Sequence, residues 1–450
     1  MTEEQIQQRI AASFRYAALA LYLGDPSLAS SMCALGKSSD QRTAFILGLK
    51  DWPADLSHVR EFLATTTDEP LRSAVCVAIG RFPKPTNPDS DATIAVLKDL
   101  FAAATDGGSH SAIDWTLRQW GVPLPDVAQR NPHTPREEAS TPKGKGSAPA
   151  TTVASTPGDA PTAVSNTMTG VTTGKHWYVN SVGMTFVAIP LGKHDLCAPK
   201  YRDVPFEDPI AEVEFTRAVF LSNRELTVAQ FAEFVSDPKT PLAEKPEEWN
   251  EKWGRQVQEV SPTGDTPVQQ ISWIDSVQYC NWLSRKEGLT PCYEKVERVQ
   301  KVEWSCNFEA DGYRLPTTAE WEVACRAATQ TSWFCGTHEA QLTAFAVCLS
   351  NSNSRTLPTG TMLPNALGLF DIHGNVFEWC HDWHEPSPQG GKNPEGPTTG
   401  SERVLRGGSW YGAAQDAASA KRFMNRPDYR DNSVGMRLAQ VPSAGRPKGP

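Results

Sequence analysis

Pro364-Asn-Ala-Leu-Gly-Leu-Phe-Asp-Ile-His-Gly-Asn-Val-Phe-Glu-Trp379 decides how the rest of this chain is read. A Gly-Asn pair suits a tight turn, and a tryptophan beside it is a large core anchor. The string therefore predicts a domain held by side-chain packing and turn chemistry. Working outward, the same texture fills residues 175–441, which hold most of the 14 tryptophans. Helices are expected over Thr227–Val235, Trp273–Arg285 and Thr318–Ala328, with Thr227 and Thr318 as N-caps. Strand pieces are expected at Met184–Ile189 and Arg403–Leu405. Arg314, close in sequence to Glu320 and Glu322, suggests a partly buried ion pair that pins loops.

Outside this block the composition shifts twice. Residues 126–174 contain no Phe, Tyr or Trp and are rich in Thr, Ala, Pro, Ser and Gly. Such a segment cannot bury enough apolar surface to offset its ordering entropy, so a disordered linker is expected. Residues 1–125 read as all-α. Ile6, Ile10, Phe14, Ala17 and Leu21 form one helical stripe. Asp25-Pro26 and Glu69-Pro70 mark helix starts, with a further start near His110. The spacing resembles HEAT-type helical hairpins, with an irregular bundle as the alternative. The expected organisation is multidomain: a HEAT-like region 1–125, a linker 126–174, a folded domain 175–441 and a tail 442–450. Two folded parts on a tether are expected.

Charge and chemistry narrow the function classes. With 43 Lys plus Arg against 52 Asp plus Glu, the formal net charge is −9, which argues against nucleic acid as a partner. No apolar run approaches the roughly 18 residues of a membrane span. The acidic start and the absence of a signal-like segment give a cytoplasmic expectation. Ten cysteines occur without any C-x-x-C pair, which removes zinc-knuckle and thioredoxin-type motifs. No G-x-S-x-G, P-loop or H-E-x-x-H string occurs. His381 and His384 flank an acid, but a strand or loop is the favoured reading there.

Further motifs follow in a fixed order: Gly183-Met-Thr-Phe-Val-Ala-Ile189, Glu225-Leu-Thr-Val-Ala-Gln-Phe231, Thr266-Pro-Val268, Tyr279-Cys-Asn-Trp-Leu283, Gly312-Tyr-Arg-Leu-Pro316, Arg406-Gly-Gly-Ser-Trp410 and Val434-Gly-Met-Arg437. Together with the opening stretch they resemble the formylglycine-generating enzyme family, also called sulfatase-modifying factor domains. The resemblance implies an α+β, loop-rich fold related to C-type lectins. It implies oxygen-dependent oxidation of a sulfatase cysteine, on copper held by two cysteines after the Gly-Gly-Ser string. Here those positions are Gly412 and Ala417, which carry no ligand atom. Copper is therefore disfavoured. Iron is also disfavoured, because the H-x-x-x-H-x-E string of the sulfoxide-synthase branch is missing.

The resemblance further implies structural calcium at Asp371, Gly374, Val376 and Glu378, with carboxylates from the first and last and carbonyls from the other two. The favoured expectation is a non-oxidase module that binds a protein, peptide or other ligand, with no nucleic-acid or membrane partner. Its candidate ligand-binding residues are Trp410, Tyr411, Asn425, Tyr429, Arg430 and Asn432, in the segment where lectin-like relatives display recognition groups. The alternative is an enzyme of protein maturation with non-standard active-site residues. Oligomeric state is not legible in the sequence.

Overall fold

The computed structural model describes residues 3–49, 56–85, 88–127, 174–197, 209–246, 251–298 and 301–442. Residues 128–173 of the expected linker and 443–450 of the expected tail lie outside them. The first part is helical: α1 (Glu3–Tyr22), α2 (Ser27–Cys33), α3 (Asp40–Gly48), α4 (Ser57–Thr65), α5 (Glu69–Gly80), α6 (Pro88–Ala103) and α7 (Gly107–Gln119). Local chemistry sets the starts. The Asp68 carboxylate accepts the Leu71 N–H at 3.0 Å, with Pro70 in the first turn of α5. Asp106 caps α7 by accepting the Ser109 N–H at 2.6 Å.

The second part runs β1 (Trp177–Val179), β2 (Thr185–Ala188), β3 (Gly192–Cys197), β4 (Pro209–Phe215), β5 (Phe220–Ser222), α8 (Val228–Ser236), α9 (Glu251–Val260) and α10 (Trp273–Lys286). It continues β6 (Tyr293–Arg298), β7 (Lys301–Cys306), β8 (Tyr313–Arg314), α11 (Thr318–Arg326), α12 (Glu339–Leu342), β9 (Phe377–Trp383), β10 (Gly391–Lys392), β11 (Arg403–Arg406), β12 (Phe423–Asn425), β13 (Val434–Gly435) and β14 (Ala439–Gln440). The main sheets have strand orders β1-β2-β5-β14-β8 and β12-β11-β9-β13. In the first, the C-terminal β14 lies between β5 and β8, so the end of the domain closes its beginning. A further sheet has the order β10-β4-β3, and β6 pairs with β7 as a hairpin.

Capping boxes start α8 at Thr227, α10 at Ser272 and α11 at Thr317. The last differs by one residue from expectation. Glu320 closes the box by accepting the Thr317 N–H at 2.9 Å, so Thr317 rather than Thr318 is the cap. Arg314 holds Glu320 through two bonds of 2.6 Å, both side chains buried, as the ion-pair reading expects. Glu322 goes elsewhere: it bridges Arg326 at 2.9 Å and Arg406 at 2.7 Å.

The picture of two separate parts on a tether is corrected by the packing. One apolar cluster runs from Phe45, Leu71, Val75, Ile79 and Trp115 into Trp177, Val187, Trp321, Phe334 and Phe345. The physical reason lies in α5 and α7. Leu71–Gly80 and Gly107–Leu117 are buried throughout, so those helices carry apolar surface that the other helices cannot cover alone. The C-terminal domain covers it. A Cβ at Gly107 would lie 2.6 Å from Val187 Cγ1, and one at Gly108 would clash with the Ala366 carbonyl, so glycine permits the approach. Thr43 donates to the Cys335 carbonyl at 2.7 Å, and Trp177 Nε1 donates to the Ala104 carbonyl at 2.8 Å. His110 lies between Phe101 and Trp177, with centroid separations of 4.2 and 3.5 Å.

This stack sets a pH response. Burial, the largest cause, lowers the His110 pKa to about 4; its bond to the Phe101 carbonyl and Asp114 oppose that shift, while Lys175 and Arg224 add to it. The unfolded imidazole titrates near 6.5. The unfolded chain therefore takes up a proton that the folded chain refuses, and stability falls as pH drops from about 6.5 towards 4. His110→Phe should flatten this part of the pH–stability curve relative to wild type, by at most roughly 3 kcal/mol across the window. Chemical denaturation at pH 7 and pH 4.5 measures the difference.

Candidate functional site

The opening stretch folds into a turn that feeds β9. Asp371, Gly374 and Asn375 have φ of 54°, 80° and 58°, a region open to Asp, Asn and Gly but costly for most side chains. Asn375 ties this turn to four other segments. Its N–H donates to the Val347 carbonyl at 2.8 Å, and its amide nitrogen donates to Glu225 at 2.7 Å. Its side-chain oxygen accepts the Leu357 N–H at 3.0 Å, and its carbonyl accepts the Trp410 N–H at 2.8 Å. At the end of the turn, Glu378 is fully buried. It accepts Trp321 Nε1 and Arg437 Nε on one oxygen, and Arg437 Nη2 on the other, each at 2.7 Å.

This region is rich in buried negative charge. Desolvation, with Asp371 and Glu378 nearby, drives the Glu225 carboxyl well above its ordinary range. Burial likewise raises Asp371 to about 6. Asp371 Oδ2 accepts the Gly360 N–H at 2.6 Å, whereas Oδ1 is buried without a partner. An orphaned carboxylate oxygen beside surplus negative charge fits a hard cation. Among the described residues no group of three or more His, Cys, Asp and Glu side chains is placed to hold a metal. A site at Asp371, Gly374, Val376 and Glu378 would use only two side chains, with backbone carbonyls for the remainder. Calcium would take the orphaned Asp371 Oδ1 and would share the Glu378 carboxylate with Arg437, which already occupies both of its oxygens.

The Gly-Gly-Ser segment follows β11 directly and leads into the turn before β12. Gly412 donates its N–H to the Ser409 carbonyl at 3.0 Å, and its carbonyl accepts the Leu349 N–H at 3.0 Å. Ala417 is fully buried against Gly408. Neither position carries a donor side chain. Cys325 lies 3.8 Å from His373 Nε2, which accepts the Phe334 N–H at 3.1 Å. Burial raises the Cys325 thiol to about 12 and lowers His373 to about 3. The pair is thus a neutral thiol beside a neutral imidazole, not an activated nucleophile. His381 lies in β9, in line with the strand reading, with Nδ1 3.2 Å from the Tyr293 hydroxyl.

The candidate recognition residues separate into two groups. Trp410 and Tyr411 meet edge to face at 5.1 Å, and Trp410 Nε1 donates to the Asn432 carbonyl at 3.0 Å. Tyr411 is 45% exposed. Trp410, Tyr411 and Asn432 share a surface joined to the turn through Trp410 N–H, and Tyr429 follows in the same segment as Asn432. Arg430 instead grips Asp275 through two bonds, at 2.9 and 3.0 Å, fastening the segment to the start of α10. Asn425 ends β12, and its side chain accepts the adjacent Arg426 N–H at 2.9 Å. Cavities of about 20 Å³ beside Arg42 and Phe334, and about 10 Å³ beside Asp382 and Arg422, have room for little more than one water each. Glu225, Asn375 and Arg437 are the organising residues; all lie in the quoted motifs, but sequence reasoning gave Asn375 only a place in a turn and gave Glu225 and Arg437 no role. The buried carboxylate of Glu225, two residues beyond Asn223, leaves no periodic signal in the sequence.

The sequence profile of the family described as "Sulfatase-modifying factor enzyme 1-like domain" matches residues 178–442. The chain belongs to this family. Curated relatives include a formylglycine-generating enzyme from Mus musculus, 32% identical over 190 residues, covering 38% of this chain and 44% of that protein. Chaperone protein LppX from Paenibacillus barcinonensis is 30% identical over 181 residues, covering 34% and 62%. Serine/threonine-protein kinase pkn1 from Chlamydia caviae is 37% identical over 175 residues, covering 35% and 26%. The chain thus spans from 26% to 62% of the length of these relatives. Among solved structures, Treponema denticola variable protein 1 is 30% identical with a TM-score of 0.48, covering 59% of this chain and 98% of that one.

The Glu378–Arg437 pair predicts the response of the domain to substitution. Glu378→Gln leaves the Arg437 guanidinium buried without its counter-charge, which costs about 3–5 kcal/mol for a pair of this kind. The midpoint of urea unfolding should fall accordingly. A shift comparable to that of an exposed Glu→Gln control would mean that water reaches the pair.

Proposed function

We propose that the C-terminal domain is a non-oxidase family member that binds a protein or peptide through the surface formed by Trp410, Tyr411, Tyr429 and Asn432. The observation that carries this reading is the exchange of groups after Gly407: no thiol stands at Gly412 or Ala417, while an edge-to-face aromatic pair is presented beside them. Tyrosine and tryptophan supply contact area at low entropic cost and favour polypeptide recognition. The relatives named formylglycine-generating enzyme and chaperone protein support a role towards other polypeptides. The helical part, as a HEAT-like stack on a lectin-like scaffold, adds surface for the same partner. Neither nucleic acid nor a membrane enters this reading, and the protein acts in the cytoplasm.

Selection from a displayed random-peptide library, followed by titration of a selected peptide, tests the surface. Tyr411→Ala should weaken binding by about tenfold to a hundredfold, the 1–3 kcal/mol of an aromatic hot spot. Incubation with a sulfatase-motif peptide, copper(I) and oxygen should leave the peptide mass unchanged. Conversion of its cysteine to formylglycine would instead support an enzyme of protein maturation.

We also propose that Asp371 and Glu378, with the carbonyls of Gly374 and Val376, hold a structural calcium ion. Bound calcium would supply positive charge where three buried carboxylates meet. Calcium at a hundred times its dissociation constant should stabilise the fold by about 2.7 kcal/mol. Chelation should therefore lower the melting temperature of the full chain, and Asp371→Ala should abolish the difference.

A further inference from the structure

Across the seam between the helical part and the C-terminal domain, the buried Asp114 pairs with a half-buried Arg224 close to the proposed cation turn. Asp114 on α7 accepts Arg118 Nε at 3.0 and 3.1 Å and pairs with Arg224 Nη2 across the seam. Arg224 lies between β5 and α8, with its guanidinium 4.9 Å from the Phe370 ring centroid. Phe370 immediately precedes Asp371.

Two buried polar atoms here have no partner: Arg224 Nε and Asp371 Oδ1. Gly360 lies between their side chains. Its N–H donates to Asp371 Oδ2 at 2.6 Å, and a Cβ on it would meet the Arg224 guanidinium, with Cζ 3.0 Å away. A guanidinium and a carboxylate so placed are natural bidentate partners, because a charge-assisted fork is the strongest arrangement open to either. They are not paired, because Asp114 already holds Arg224. Asp114 is held in turn by Arg118 and by α7, whose Gly107 and Gly108 abut Val187 and Ala366.

We infer that Asp114 is a positioning residue for the cation turn: by holding Arg224 across the seam, it keeps that guanidinium off Asp371 and leaves Asp371 Oδ1 free for a divalent cation. This rests on the calcium reading above. The helical part thereby enters the site indirectly, by supplying the counter-charge that prevents an internal cation from displacing an external one. On this reading, Arg224 released from Asp114 would turn to the Asp371 carboxylate on the other side of Gly360 and offset the negative charge that attracts a metal.

Calcium chloride titrations by calorimetry on the full chain, after removal of bound metal by chelator, test the inference. Asp114→Asn should weaken calcium binding tenfold or more. Arg224→Gln, which removes the competitor, should bind calcium as tightly as wild type or more tightly. Adding Arg224→Gln to Asp114→Asn should restore the affinity. A purely structural role for the pair predicts no such rescue, since the second change removes another buried group. Wild-type affinity in Asp114→Asn, or a double variant as weak as the single one, would overturn the inference while leaving the calcium site intact. If wild type takes up no calcium, both fail. Should Asp114→Asn not fold, Arg224→Gln alone decides, with weakened binding counting against the inference.

Discussion

A carboxylate buried with its counter-charge organises the C-terminal domain. Glu378 meets Arg437 and Trp321 in a region without solvent access, and each partner comes from a different part of the chain. Arg437 in turn donates to the Ser222 and Phe370 carbonyls. One guanidinium thus ties β9, the end of β5, the turn that begins after Phe370 and the approach to β14. A fold with short strands has few ladder hydrogen bonds to define it. Buried charged pairs supply that definition, because each has one arrangement that satisfies every donor and many that do not.

The same device recurs at other junctions. Arg314 with Glu320 locks the entry to α11, and Arg406 with Glu322 locks β11 to that helix. Arg403 lies between the rings of Trp273 and Trp383, at 3.8 and 3.5 Å from their centroids. Aromatic and ionic anchoring of this kind involves neither Gly412 nor Ala417.

The sequence made local features legible where a short-range rule applies. The α10 helix was readable from the apolar stripe that follows Asp275, and it ends one residue beyond the expected Arg285; the Ser272–Asp275 box that starts it was not picked out. Helix α11 stops at Arg326 rather than Ala328, because Ala327 and Ala328 turn into the left-handed region. The Arg314–Glu320 pair was readable from its spacing. Arg430 was not: by type it suggested recognition, and only the fold brings Asp275 to it. The joint between the two parts was also hidden. Composition marks the stretch that separates them, but no composition reveals that α5 and α7 need a second surface to cover them.

That joint changes what the residues between 127 and 174 must do. The chain re-enters the described structure at the seam, where His176 N–H meets the Thr105 carbonyl at 2.7 Å. The seam is already closed by apolar burial, ring stacking and the Asp114–Arg224 pair. The entropy of closing a loop varies only slowly with its length, so the seam does not depend on how long the connection is. A protease cut within it would therefore yield two polypeptides that remain associated, each completing the interior of the other.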